Sequence, residues 1–157
     1  MKTIKFFSII VLTALLLFAD RGFASEWGFR GLLPRGTGYY DKSSIRTIND
    51  NIRQVWTVVL YNETGKADAW AILKKQDKAP ENPNVLNQES TLLEFDCAKD
   101  KYRIVSINIY DENDVLLFSA SIMHTHWLDM IPGSINEKLK NEVCRSGHQS
   151  ENKKLTP

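Results

Sequence analysis

Cysteine occurs only twice in this chain of 157 residues, at Cys97 and Cys144. The second closes the stretch IPGSINEKLKNEVC, which carries the marks of a short helix ending on a thiol. Ser134 followed three residues later by Glu137 is a capping-box pattern. Ile135, Leu139 and Val143 recur every four residues and form one apolar stripe. Arg145 and Gly147 supply stop signals. A helix of about ten residues is marginal alone, so packing must hold it.

The compartment decides what two such thiols do. Lys2 and Lys5 are followed by an apolar run from Phe6 to Ala19 and by the small residues around Ala24. That is the layout of a secretory signal peptide over residues 1–24, cut after Ala24. As a helix the apolar run spans about 21 Å, short of the roughly 30 Å hydrocarbon core. Export places both cysteines where a pair usually oxidises to a disulfide. A redox pair and metal ligation are the alternatives. The spacing is far from Cys-x-x-Cys, and two cysteines alone make a poor zinc site. A disulfide closing this loop would stabilise the fold by about 4 kcal/mol. No cysteine stands at the cleavage site, so lipid attachment is not expected and the chain reads as periplasmic or released.

The remaining 133 residues suit one domain. Removing Lys2, Lys5, Arg21 and Asp20 changes 20 basic and 19 acidic residues to 17 and 18, a net charge of −1. No basic excess points to nucleic acid. Six stretches read as strands: EWGFRGLL, GYYDKSSI, NIRQVWTVVLYN, STLLEFDC, YRIVSINIY and VLLFSASIMHT. Trp27, Phe29 and Gly31 are expected on one side of the first. Leu93, Phe95 and Cys97 share a face, as do Val105, Ile107 and Ile109. AKDK and DEND are turns. ADAWAILKK, inside the long 63–88 connection, fits one or two helical turns or a strand fragment. The expected fold is α+β: a six-stranded antiparallel meander sheet with one C-terminal helix on one face, tethered by a disulfide. The domain spans 25–146, with 147–157 a disordered tail.

Residues that carry chemistry are sparse. His124 and His126 would share a face of a continuous strand, with Asp129 a third donor, and form a weak candidate metal site. Two histidines at a strand end beside solvent are the plainer reading. Asn62-Glu63-Thr64 matches a glycosylation acceptor. Asp111, Glu112 and Asp114 read as a solvated turn rather than a calcium loop. Of Trp27, Trp56, Trp70 and Trp127, the ring in the long connection, Trp70, is the one to watch for ligand contact. No phosphate-cradling loop, nucleophile elbow or zinc-protease helix is present in the sequence. No catalytic residue and no cofactor is expected.

Three segments, GYYDKSSIRTINDNIRQVWTVVLYN, STLLEFDCAKDKYRIVSINIYD and IPGSINEKLKNEVC, resemble in order the bacterial surface-adhesin protein E family. The resemblance implies a six-stranded sheet with a helix strapped across it, and it assigns the disulfide to Cys97 and Cys144. It also implies a non-enzymatic binding module with a macromolecular ligand, possible host extracellular proteins included. It assigns no binding residues. The alternative is a periplasmic small-ligand or metal-binding protein using the two histidines or the uncovered sheet face. Leu92, Ile104, Leu116 and Phe118 suggest apolar surface on both faces, and with it a homodimer.

Overall fold

The computed structural model describes residues 25–122 and 126–152, with the backbone alone for 146–152. The segment 1–24, expected to be a signal peptide, lies outside the described residues, as do His124 and 153–157. The strands are β1 (Trp27–Leu33), β2 (Gly36–Asp41), β3 (Arg46–Thr47), β4 (Ile52–Tyr61), β5 (Leu86–Asp96), β6 (Lys101–Asp111), β7 (Leu116–Ser121) and β8 (Leu128–Asp129). The helices are α1 (Glu63–Lys74) and α2 (Ile135–Asn152). Six strands pair antiparallel in the order β1-β2-β4-β5-β6-β7, as expected of a meander. The two short strands add to it, β3 beside β4 and β8 beside β6.

Cross-strand register sorts the side chains into two faces. Val55 lies opposite Leu93, Phe95 opposite Tyr102, and Leu93 opposite Ile104. These side chains meet Leu139 and Val143 of α2, with Tyr40 completing the cluster. Phe95, Val55 and Val143 are fully buried there. Burying each such side chain is worth about 1.5–3 kcal/mol. The disulfide joins Cys97, just past β5, to Cys144 of α2, with an S–S distance of 2.01 Å and Cα atoms 5.9 Å apart.

The start of α2 is held as its sequence suggests. Ser134 Oγ accepts a hydrogen bond from the Glu137 amide at 3.1 Å. The Glu137 carboxylate accepts from the Gly133 amide at 2.7 Å, one residue before the position a standard box uses. The helix backbone runs through Gly147 to Asn152, where the sequence placed the onset of a tail. A single glycine costs a helix only about 1 kcal/mol and does not end it.

A second helix is the main addition to the expected fold. The 63–88 connection holds α1, twelve residues long, and then a single 3-10 turn before β5 begins at Leu86. Ala69 and Leu73 of α1 bury against Leu86 and Ile109. Ile109 lies opposite Glu89, whose alternation with Leu93 and Phe95 puts α1 on the same face as α2. One face of the sheet therefore carries both helices, each over its own apolar cluster.

Bulges redirect several side chains. Register slips by one residue between Phe29 and Gly31, at Val105 between Ser106 and Ile104, and between Leu116 and Phe118. Gly31 therefore leaves the side that Trp27 and Phe29 share and faces α2, where Ile135 Cδ1 lies 3.1 Å from where a β-carbon would be. Val105 is the extra residue of its bulge, so Ile104 rather than Val105 lines up with Ile107 and Ile109. Ile104 and Phe118 pack into the helix-covered clusters, leaving only Leu92 and Leu116 of the four suggested dimer residues on the other face.

Candidate functional site

Among the described residues no helix packs on the second face of the sheet. Its register rows can be read across the strands. One row runs Phe29, Tyr39, Val58, Ser90, Asn108 and Ser119; the next runs Leu32, Thr37, Leu60, Gln88, Tyr110 and Leu116. Trp27 stands beside them, 51% exposed, and Phe29 is 63% exposed. Aromatic residues thus gather on β1 and β2 at one side and on β6 at the other, with short side chains between. The result is an open trough of about 520 Å³ lined by Trp27, Tyr39, Val58, Leu60, Gln88, Ser90 and Tyr110. Phe29 meets Tyr39 edge-on, with ring centroids 6.0 Å apart, which steadies that wall.

The polar groups in the trough are uncharged and already oriented. The Gln88 amide donates to Asp114 Oδ1 at 2.9 Å, which leaves its carbonyl oxygen to accept. Ser90 Oγ accepts from the Asn108 amide at 3.3 Å, which leaves its hydroxyl hydrogen to donate. No charged side chain lines the trough. Such a surface offers apolar area, ring faces and a few directional hydrogen bonds, the composition of a recognition surface rather than of a proton-transfer site.

Farther along the same face the sheet is closed by charge. Glu94, only 7% exposed at its side chain, accepts from Arg103 Nε at 2.7 Å and Nη2 at 2.6 Å, and from Gln54 at 2.8 Å. The Arg103 guanidinium lies 4.6 Å from the centre of the Trp127 ring. This pairing satisfies the buried carboxylate, two register rows away from the nearest lining row of the trough.

Between the two helices the covered face is also polar. Glu89 Oε2 accepts from Arg35 Nη1 and from the Tyr61 hydroxyl, both at 3.0 Å, and Arg35 lies over the Tyr61 ring. Burial and then Glu89 push the Tyr61 phenol well above its ordinary 10.0. Arg30 donates to Asn136 of α2 from a setting where burial lowers its pKa.

The residues singled out from sequence fare differently. Cys97 and Cys144 are joined. His126 is exposed, and Asp129 is paired with Lys101 at 2.8 Å as part of the β8 pairing. Among the described residues no three His, Cys, Asp or Glu side chains converge. Asn62 is the N-cap of α1: Oδ1 accepts from the Gly65 amide at 2.9 Å, and Nδ2, the atom a glycan would take, donates to Pro34 O at 3.0 Å. Asp111 accepts from the Asn113 and Val115 amides, both at 2.8 Å, which makes its cluster a turn. Trp70 donates to Pro80 O at 3.1 Å and carries Lys74 over its ring, so it fastens the loop after α1. Sequence reasoning foresaw the uncovered face but not Tyr39, Val58, Gln88, Ser90 and Tyr110 as its lining. For Tyr39 and Val58 the alternation with buried neighbours was the available signal; Gln88, between two half-buried polar residues, carried none.

The fold and its surface define a class: a small α+β module with an open antiparallel sheet, helices on one face only, and a disulfide strap. The family model described as surface-adhesin protein E matches residues 33–145, most of the chain. The chain belongs to that family. No curated protein and no solved structure matches it at a significant level. Among the described residues no helix is long and apolar enough to cross a membrane, which says nothing of membrane-crossing strands.

Proposed function

We propose that this protein is an exported, non-enzymatic binding module of the surface-adhesin class that engages a macromolecular partner, such as a host extracellular protein, through the bare face of its sheet. The trough between Trp27, Tyr39 and Tyr110 carries this reading. Exposed aromatic rings clustered on one side of a small domain are the usual anchors of a protein interface. The absence of charge in the lining suits a partner that inserts apolar or aromatic side chains. The test measures binding of the oxidised protein to a panel of host matrix proteins. Trp27→Ala and Tyr39→Ala should each weaken capture at least about tenfold, with the fold intact by circular dichroism. Binding that ignores both changes, or no binding at micromolar concentration, would overturn the proposal.

A second reading, a small apolar ligand, draws on the trough's volume of about 520 Å³, which lies within the range of small-molecule sites. It predicts a rise in Tm with a low-molecular-mass apolar compound that Tyr110→Ala abolishes. A compound library that never moves the Tm would remove it.

A further inference from the structure

Arg53 is the least expected residue of the core. It occupies the second position of β4, on the helix face opposite Phe95, and is only 5% exposed. Its Nη1 donates to three backbone carbonyls, Asn49 at 2.8 Å and Asp50 and Ile52 at 3.3 Å. Its Nε is buried without a partner. Among the described residues no carboxylate pairs with it. Carbonyl dipoles satisfy donors but do not neutralise a cation, and a buried guanidinium without a counter-charge is costly.

The surroundings add positive charge. Arg53 lines a cleft of about 420 Å³ beside the disulfide, together with Lys140 and Arg145 of α2, Asn51, Asn141 and Asp50. Three cations meet one carboxylate in this lining. Lys140 is bonded to Asp100 outside the cleft, and Arg145 Nη2 lies 3.5 Å from Glu142, also outside it. The disulfide creates the juxtaposition, because it fixes the third turn of α2 against the start of β4 and the β5–β6 turn.

We propose that this cleft is an oxyanion-binding site, in which Arg53 from the floor and Lys140 and Arg145 from the helix hold a phosphate or carboxylate group. Guanidinium groups suit both anions because their donors match two oxygens at once. The cleft volume falls within the small-molecule range of about 300–1,000 Å³ and leaves room for a body attached to the anion. Asn51 and Asn141, also in the lining, add uncharged polar groups beside that body. The site lies away from the bare sheet face and is independent of the reading given for it.

The experiment titrates the oxidised, ¹⁵N-labelled protein with inorganic phosphate and, in a separate arm, with acetate, at ionic strength held constant with chloride. Arginine side-chain Nε–Hε signals and the amides of Asn51, Ala98 and Asn141 are followed. Saturable shifts at these positions are expected, and the arm that saturates first distinguishes a phosphate from a carboxylate ligand. Lys140→Gln and Arg145→Gln each leave the core side chain in place and should weaken the anion about tenfold. Arg53→Lys, which keeps the charge but loses the forked donors, should weaken it further. Linear shifts matching those of chloride, or saturation unchanged in both helix variants, would overturn the proposal.

Discussion

Tyr61 shows how one side chain ties the strands to the first helix. Its hydroxyl donates to Glu89 Oε2, its ring lies under Arg35, and its ring edge approaches Gly65 of α1. Deprotonating it would set a phenolate beside the Glu89 carboxylate in a desolvated place. The folded-state pKa is raised, so this stabilising contribution is complete below the ordinary phenol value of 10.0 and declines as pH rises past it. The unfolded chain then releases the proton while the folded chain retains it. Stability measured by urea unfolding should therefore fall above about pH 10, and Tyr61→Phe should flatten that decline relative to the parent protein. An identical alkaline slope in both would refute the assignment.

At the scale of elements, α1 is the part whose position rests on the least obvious residue. A β-carbon on Gly65 would lie 2.1 Å from the Arg35 carbonyl oxygen and 2.7 Å from the Tyr61 ring. Alanine would gain up to about 1 kcal/mol of helix propensity, but the first turn would be pushed off the β1–β2 turn. Gly65→Ala should consequently destabilise the protein by about 2 kcal/mol, read from the urea midpoint; an unchanged or higher midpoint would show that α1 is loosely seated. This helix was only half legible in the sequence. Ala69 and Leu73 give the four-residue spacing, but a glycine in the first turn and an Asn-Glu-Thr start that resembles a glycosylation acceptor mask its beginning. The strands were legible because Val55, Thr57 and Val59 alternate with less buried neighbours, and because Leu93 and Phe95 alternate in the sequence with the acidic Glu94 and Asp96. The bulges were not, since one inserted residue such as Val105 leaves no mark in composition yet moves every later side chain to the other face. The trough and the Arg53 cleft were hidden for related reasons. Each depends on which face a residue takes and on what the disulfide brings near.

For the whole molecule, the strap matters more than its size suggests. Among the described residues only Leu139 and Val143 of α2 are buried apolar anchors, and the covalent link spans 47 positions of sequence. Replacing both Cys97 and Cys144 by serine should remove about 4 kcal/mol of the roughly 5–15 kcal/mol typical of such domains. Calorimetry should find Tm lowered by about 10 °C or more. A shift of only a degree or two would mean that packing alone holds the helix. The same variant should lose the anion response beside Arg53 while keeping trough binding, which separates the two surfaces.

The sheet is open, and its outermost strands are β1 and β7. Each contains an inserted residue, Arg30 in the first and Leu117 in the last, that interrupts the even march of amide and carbonyl groups. A foreign strand laid along either border would find only a few consecutive backbone partners before the ladder slipped. Edge-to-edge growth into a longer sheet is thereby discouraged at both borders, and the broad surface between them is left to act through its side chains.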